Sequence, residues 1–558
     1  MFGPWVLQIL LFLLLLTVLA WGLGEYLARV FSGKKCLLSK LIYPLEMFTY
    51  RVLGIDPEEE MTAIGVLKQL IYLTLGSIIL MLIWQWLQPW MPWSSERMSA
   101  PSFLSALYTA ISFATNTAVV FPHKYNFVTR LLGFGVQNFL VAALTISIAV
   151  IFINGLLRDQ KLGVGNLWVY LIRAFYYLLL PGAILLAIFL LSEGVPDTLR
   201  HVINLQTLEG GRQSIAIGPL ASQEAIKTLA ASGTSFFAAN SAHPFSNPTA
   251  MTDLVTILAF MLIAAAFPFM FGALSNKREE GWMIYGTMLL LFILVLGAIL
   301  WAESKGINLL SKLHLANVAS LEGKEVRFGG VSSSVFAAAT TATSCGATNA
   351  ALASFTPLSQ GCLLINLLLG GVIFGGAGTG FINLMFYLTL TAFLVALMIG
   401  RSPEIYGKKI TTYDMLLVII AIFLPVILHL IASVFTIIDP VHSLTTASGN
   451  RALTEIFYTW ASLLRNNGSS LVTAPLITPF YTICSMVLML IGYLGPLGIA
   501  LYFAGSFVEK KRSEVRVRDE MCGVTPAIVL AGVIIIVNLL AYLPFIALGP
   551  VIEHFTIV

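Results

Sequence analysis

Four short stretches of the sequence combine small and hydroxyl-bearing residues in a way that can bind a cation. The clearest covers residues 333–347 and reads S-S-V-F-A-A-A-T-T-A-T-S-C-G-A. Small residues run through Ala342 as in a short helix, and Thr343–Gly346 then interrupt it with residue types that can present backbone carbonyls. Rings of carbonyl oxygens replace the water shell of an alkali cation, so selective binding of a dehydrated cation is the expected chemistry.

This stretch is too short to span a bilayer, but it lies between segments that are long enough to do so. Irregular backbone is tolerated at membrane depth only where protein buries it or water lines it, so a re-entrant loop here predicts an ion path beside it. Taken alone, the stretch fits equally well an outside loop that dips into the lipid headgroups. Its recurrence favours the pore loop.

Related stretches recur at residues 102–117, 221–237 and 452–470. In each of the four, a short helical run ends in small polar residues, T-N-T, S-G-T, S-C-G and N-N-G in chain order. Measured from Asn116, the steps to Gly233, Gly346 and Gly468 are 117, 113 and 122 residues. This regular period predicts four helix, pore-loop, helix repeats around a pseudo-fourfold pore, as in a potassium channel. A transporter with coincidental small-residue loops is the weaker alternative.

The composition is that of an all-α polytopic membrane protein. Of the 558 residues, 58% are apolar and only 10% are charged, and the mean hydropathy is +0.89. The net charge of +4 is small for this length and argues against nucleic-acid binding. The five cysteines and seven histidines show no C-x-x-C or Cys/His ligand spacing, so neither a disulfide framework nor a zinc site is indicated.

About ten transmembrane helices are expected from the apolar segments. They are Pro4–Gly24, Ile64–Leu87, Phe127–Leu156, Trp168–Leu191, Met251–Gly272, Trp282–Ala302, Cys362–Gly400, Tyr413–Thr436, Phe480–Phe503 and Thr525–Leu548. Basic residues cluster in every second connection: Arg29/Lys34/Lys35/Lys40, Arg158/Lys161, Lys277/Arg278, Arg401/Lys408/Lys409 and Lys510/Lys511/Arg512/Arg516/Arg518. Those connections are therefore predicted to be cytoplasmic, which places both termini outside the cell.

The predicted division of the chain follows from these spans and loops. Residues 1–63 hold the first helix and a cytoplasmic connection, and residues 504–558 hold a basic cytoplasmic loop and the last helix. The four repeats between them are 64–156, 168–272, 282–400 and 413–503.

The segment Cys362–Gly400 is about twice the length that a bilayer needs. Its middle reads G-G-V-I-F-G-G-A-G-T-G. Glycine costs helix stability, so we expect two half-helices around an unwound loop below the third pore loop. That loop can gate the ion path. The same glycines fit close helix packing equally well.

Several longer motifs resemble the KdpA family, the A subunit of the bacterial potassium-transporting ATPase. They include I-G-P-L-A-S-Q-E-A-I-K, N-S-A-H-P-F-S-N-P-T-A, E-G-K-E-V-R-F-G, F-G-G-A-G-T-G and G-R-S-P-E-I-Y-G-K-K-I, and the resemblance covers essentially the whole chain. It implies a potassium-binding, channel-like subunit of a high-affinity uptake complex in the bacterial inner membrane. The implied partners are a P-type ATPase catalytic subunit (KdpB-like) and accessory subunits (KdpC-like and KdpF-like), beside membrane lipid.

The resemblance also implies site residues. The selectivity-filter positions are Asn116, Thr117, Gly233, Ser344, Cys345, Gly346, Asn466, Asn467 and Gly468. The positions at the gate and on the side that meets the partner are Gly375, Gly376, Gly378, Gly380 and Arg401. No cofactor is implied, because K⁺ is the transported ion and the partner subunit uses the ATP.

The filter loops depart from the family pattern. The family has N-T-N-W-Q in the first loop, whereas here Asn116 and Thr117 are followed by Ala118, Val119 and Val120. In the second loop, Ser232–Phe237 reads S-G-T-S-F-F in place of N-G-G-G-F-F. Positive φ is costly for Thr and Ser, so we expect Thr234 and Ser235 to change the backbone that the glycines allow. Arg465 replaces a small or amide residue, and a cation beside a cation path repels the ion unless it is turned away. We expect Arg465 to point into the packing behind the filter.

The chain contains no G-x-x-x-x-G-K-[ST] phosphate loop, and its longest cytoplasmic connection, about 40 residues, is below the size of an independent domain. No catalytic site is therefore indicated, and a partner must supply any energy. Two alternatives stay open: a free-standing potassium channel of the TrkH/KtrB type, and a relative with altered selectivity.

Overall fold

The structure, a computed structural model, describes residues 4–91, 99–120, 125–126, 128–161, 163–200, 202–306, 321–439, 444–445, 447–472, 478–512 and 523–557. Arg516 and Arg518, named above, lie outside these residues. The predicted helical membrane architecture is confirmed.

Ten helices in the described ranges are long and apolar enough to cross a membrane, and we call them the first to tenth spans. They are Trp5–Phe31, Ala63–Trp86, Thr129–Leu157, Leu167–Ser192, Ala250–Leu274, Arg278–Lys305, Thr379–Ile399, Thr412–Ile438, Pro479–Val508 and Val524–Thr556. Local π-helical turns lie within the third, fourth and tenth spans, at Thr129–Gly135, Ala174–Leu179 and Ala547–Val551. A further helix, Ser39–Leu53, follows the first span.

Threonine caps fix where several of these helices begin. In each case the threonine hydroxyl accepts a hydrogen bond from the backbone N–H three residues later, which satisfies a donor that the helix itself leaves unpaired. The capping residues are Thr62, Thr249, Thr356, Thr411 and Thr478.

Four shorter helices lie between the spans, and we call them the first to fourth pore helices. They are Phe103–Ala114, Leu220–Leu229, Gly329–Ala342 and Asn450–Leu464. The third ends at Ala342, as its sequence predicts, and its Ala337–Ala339 segment is almost fully buried. Small residues there let the neighbouring backbones approach closely.

The seventh predicted span is broken, as expected. Its first half is the helix Pro357–Gly370, and its second half is the seventh span proper. Residues 371–378 between them form no helix, and we call them the glycine-rich break.

The third and fifth spans form the centre of the bundle. In their most apolar windows 83% and 78% of the residues are buried, against 17% in the first span and 22% in the tenth. Each of these two central spans packs against the pore helix that precedes it in the chain, so the first and second pore helices are held against the most buried part of the protein.

Two short antiparallel hairpins interrupt the helical pattern. One pairs Val202–Gln206 with Arg212–Ala216 between the fourth span and the second pore helix, and the other pairs Glu404–Ile405 with Lys408–Lys409 after the seventh span. The prediction of an all-helical chain did not include them. Their turns contain glycines at positive φ, Gly210 and Gly407, which is the local signal for a tight reversal of the chain.

Candidate functional site

The four pore helices end in the same way. The residue after each helix donates its backbone N–H to the carbonyl four residues earlier, at 3.0–3.1 Å; these residues are Thr115, Ala230, Thr343 and Arg465. The next residue has a left-handed backbone: Asn116, Ala231, Ser344 and Asn466. This shared geometry gives the equivalent positions in the four loops without reference to residue type.

The equivalence corrects the sequence register of the first loop. Asn116 corresponds to Ser344 and Asn466, and the position of Gly346 and Gly468 is taken in the first loop by Ala118, two residues later. Ala118 adopts φ 56°, close to the left-handed values of 83° and 82° at the two glycines. Sequence matching missed Ala118 because it is not a glycine.

The second loop differs in its backbone. Ala231 is its only described residue between the pore helix and Phe237 with positive φ, and Gly233 is not left-handed. Thr234 and Ser235 therefore sit in backbone conformations that any residue adopts. The predicted filter set also omitted Ala231 and Ser232, which the helix-end geometry places at equivalent positions.

Side-chain hydrogen bonds join the first loop to both of its neighbours. Nδ2 of Asn116 donates to the carbonyls of Ala230 and Ala231 in the second loop, at 3.3 and 3.2 Å. Nδ2 of Asn466 in the fourth loop donates to Oγ1 of Thr117, at 2.9 Å. The first loop is thus bonded on one side to the second and on the other side to the fourth.

Glycine contacts close the rest of the ring. A Cβ added at Gly346 would overlap the carbonyl oxygen of Asn467 in the fourth loop, and one at Gly233 would lie 3.0 Å from the carbonyl oxygen of Cys345. A Cβ at Gly468 would overlap the carbonyl oxygen of Thr117. The four loops therefore form a closed ring in the order first, second, third, fourth, and they bring together all nine predicted filter residues.

The ring contains buried carbonyls that lack donors. Four equivalent residues are 0% exposed: Thr117, Ser232, Cys345 and Asn467. Within the described part of the chain, no hydrogen bond reaches the carbonyl oxygens of Thr117, Cys345 and Asn467, and that of Ser232 receives only the Cys345 Sγ at 3.7 Å. A buried carbonyl without a donor is costly, and a dehydrated cation is the partner that such oxygens coordinate.

The pore helices add to this electrostatic preference. All four point their C-terminal ends at the ring, and a helix C-terminus carries a partial negative charge from its unpaired carbonyls. The site therefore favours a cation through both its carbonyls and its helix ends. Monovalent cations suit it, because no carboxylate belongs to the loop residues themselves.

The guanidinium of Arg130 holds the second loop in place. Nη1 of Arg130 donates to the carbonyl of Phe236 at 2.5 Å, and the guanidinium lies 4.7 Å from the centre of the Phe236 ring. On the other side, Nδ2 of Asn240 donates to the carbonyl of Gly233 at 2.8 Å. In the second pore helix, Nζ of Lys227 pairs with Oε2 of Glu224 at 2.6 Å. The second loop is therefore held through the carbonyls of Phe236 and Gly233.

The glycine-rich break lies directly against the end of the third pore helix. The N–H of Gly375 donates to the carbonyl of Ala342 at 3.0 Å. A Cβ added at Gly378 would lie 2.6 Å from the Cβ of Ala149 in the third span, and one at Gly380 would overlap the carbonyl of Phe374. Close packing accounts for Gly378 and Gly380, whereas Gly376 has only the Thr379 hydroxyl near it, at 3.1 Å.

Arg465 points behind the filter, as expected. Its Nη2 lies 2.9 Å from the carbonyl of Leu368 and 3.5 Å from the hydroxyl of Tyr542. Arg401, by contrast, follows the far end of the seventh span. The 21 residues of that helix separate it from the break by about 30 Å. Arg401 is therefore not part of the loop ring.

The chain matches a family model over residues 10–555. The description of that model is the potassium-transporting ATPase A subunit, KdpA. The chain belongs to the KdpA family.

Individual members of the KdpA family match over their full length. A relative from Rhizobium rhizogenes is 37% identical, with 100% of this chain and 99% of the relative covered. Another from Methylobacterium nodulans is 38% identical, with coverages of 98% and 96%, and one from Methanoregula boonei is 36% identical, with coverages of 97% and 96%. All three are named potassium-transporting ATPase potassium-binding subunit.

A solved structure shares the fold of this KdpA family member. The potassium transporter TrkH from Vibrio parahaemolyticus aligns with a TM-score of 0.51 and 16% sequence identity, over 87% of this chain and 97% of that one. At this identity the likeness concerns the fold alone. It agrees with the arrangement of repeats and pore loops described above.

Proposed function

We propose that this chain binds K⁺ in the ring of four loops and translocates it as the channel-like subunit of an ATP-driven uptake complex. The observation that carries the proposal is the closed ring. Within the described part of the chain, its equivalent buried carbonyls of Thr117, Cys345 and Asn467 receive no hydrogen bond, and that of Ser232 receives only the long one from Cys345 Sγ. The names of its relatives specify potassium as the ion.

The filter of this proposal consists of the nine residues predicted from sequence, with Ala118, Ala231 and Ser232 added from the geometry. The gate is the glycine-rich break with Gly375, Gly376, Gly378 and Gly380. It lies against the third pore helix and so is well placed to control release from the filter.

The energy comes from other chains. A P-type ATPase catalytic subunit (KdpB-like) hydrolyses ATP, and KdpC-like and KdpF-like subunits complete the complex. This chain then needs no cofactor of its own. The complex resides in the bacterial inner membrane, with both termini of this chain outside. The surface around Arg401 and the hairpin 404–409 faces the ATPase in the cytoplasm. The basic residues on that surface support this orientation.

Growth at limiting potassium tests the proposal. A bacterium without its own potassium uptake systems is given this chain alone, or with its ATPase and accessory subunits. Rescue only with the partners is the expected result. Rescue by the chain alone would establish a free-standing channel instead, and no rescue by an assembled complex would indicate an altered ion selectivity, which competition by Na⁺ and Rb⁺ then measures.

Two glycine variants connect the growth result to the ring. Gly346→Asp should abolish rescue, because its Cβ would overlap the carbonyl of Asn467. Gly297→Ala is the matched control, because no atom lies within 4 Å of a Cβ at that position of the sixth span. Equal rescue by both variants would contradict the assignment of the ring as the filter.

A further inference from the structure

Arg465 occupies a position that is neutral in the other three repeats. It ends the fourth pore helix with the same backbone hydrogen bond that Thr115, Ala230 and Thr343 make at the ends of theirs. The hydroxyls of Thr115 and Thr343 turn back onto their own pore helices. The Arg465 side chain instead leaves its pore helix and reaches a different part of the fold.

The guanidinium of Arg465 lies at the end of a helix. Its 2.9 Å hydrogen bond goes to the carbonyl of Leu368, in the last turn of the helix Pro357–Gly370. In the described part of the chain its hydrogen-bond partners are this carbonyl and the Tyr542 hydroxyl, with no carboxylate among them, and its Nε is buried without a partner. The negative end of the helix thus takes the place of a counter-ion.

The same side chain packs on the first residue of the glycine-rich break. A Cβ added at Gly371 would lie 2.7 Å from Nη1 of Arg465 and 3.0 Å from Nδ2 of Asn383. At its middle the break is bonded to the third pore helix, through the N–H of Gly375 and the carbonyl of Ala342. The break is therefore bonded by its backbone to the end of the third pore helix, and its first residue packs against Arg465 at the end of the fourth.

We propose that Arg465 is a positioning residue that latches the glycine-rich break against the filter and thereby controls release of the ion. This inference rests on the proposed function, since it takes the ring of loops as the ion site. A hydrogen bond from a charged donor contributes enough to shift a two-state equilibrium by about ten- to a hundredfold. Loss of the guanidinium should raise the open fraction of the break by that factor.

The variants separate charge from packing. Arg465→Met keeps the unbranched stem and removes the guanidinium, whereas Arg465→Lys keeps the positive charge on a single donor nitrogen. Tyr542→Phe removes the second, longer contact and is the milder variant should Arg465→Met fail to assemble. Arg51→Gln, on an exposed arginine of the helix Ser39–Leu53, is the control.

Hydrogen exchange of the full chain in lipid nanodiscs reads the latch directly. Amides of residues 371–378 should exchange about ten- to a hundredfold faster in Arg465→Met. They should exchange at an intermediate rate in Arg465→Lys and at the wild-type rate in Arg51→Gln. The proposal is overturned if amide exchange of residues 371–378 is unchanged in a folded Arg465→Met chain. If that variant does not assemble, unchanged exchange in both Tyr542→Phe and Arg465→Lys overturns it instead.

Transport by the complete complex gives the second readout. Without ATP, passive Rb⁺ flux into proteoliposomes should rise in Arg465→Met, while the K⁺ concentration for half-maximal pumping stays within twofold of wild type. A changed half-saturation with unchanged amide exchange would mean that the charge acts directly on the ion, and would refute the latch. Wild-type complex that moves no K⁺ would refute the proposed function instead, and the exchange result would still decide whether Arg465 holds the break.

Discussion

Gly468→Ala should weaken potassium binding through a defined clash. Gly468 adopts φ 82°, and a Cβ there would overlap the carbonyl oxygen of Thr117 and lie 3.1 Å from Val119. The left-handed backbone alone costs alanine about 1–2 kcal/mol. If the loop keeps its conformation, the methyl group displaces the Thr117 carbonyl. If the loop changes its conformation, residue 468 leaves the left-handed backbone that it has in the ring. Either way the expected loss of K⁺ affinity is about 5- to 30-fold.

The assay is the K⁺ dependence of uptake by the assembled complex, together with the thermal unfolding midpoint of the chain. Gly297→Ala is again the control, because it lies in the sixth span with open space around it, and alanine there should stabilise the helix by about 0.5–1 kcal/mol. A folded Gly468→Ala chain with wild-type half-saturation would refute the reasoning, because it would show that the Thr117 carbonyl is not on the ion path.

Three further predictions concern other parts of the chain. Ala118→Gly should raise the unfolding midpoint, because it relieves about 1 kcal/mol at φ 56°; a lower midpoint would mean that the buried methyl group outweighs the strain. Arg130→Gln should cost about 1.5–3 kcal/mol of stability through loss of its bond to the Phe236 carbonyl, and should raise amide exchange in the second loop; unchanged exchange would contradict this. Burial lowers the pKa of Lys408 to about 8 from its usual 10.5. Between these two pH values the unfolded chain binds more protons than the folded chain, so the free energy of unfolding should rise with pH. Denaturant unfolding of Lys408→Met should lack that rise, and an equal pH dependence in both proteins would disprove the prediction.

The spans were predictable because hydropathy acts over about 20 residues at a time, and no single residue decides it. The break in the seventh predicted span was predictable for a similar reason, since six glycines in eleven residues cannot all be accommodated in a stable helix. The position of the third pore loop followed from the loss of helix-compatible residues after Ala342, where the helix does end.

The register of the loops was not predictable from residue types. Asn116 tolerates a left-handed backbone, as asparagine often does, so it resembled the glycines of the other loops although it is equivalent to Ser344 and Asn466. Ala118, the true counterpart of Gly346, carries no sequence signal for its conformation. Only the repeated hydrogen bond at the helix ends, which depends on backbone geometry, reveals the alignment. The direction of Arg465 was predicted, but its hydrogen-bond partner was not, because that partner is the end of a helix distant in the sequence.

The bond between Asn466 and Thr117 joins residues 349 positions apart in one polypeptide. During synthesis, the first loop is made long before its partner, so the ring cannot close until most of the chain has left the ribosome. Contacts of such long sequence separation form late and slowly. Until the fourth loop is made, the first three loops therefore lie in the bilayer with part of their polar backbone unpaired. During this period a membrane chaperone or bound lipid can protect them, and a quality-control protease can recognise them.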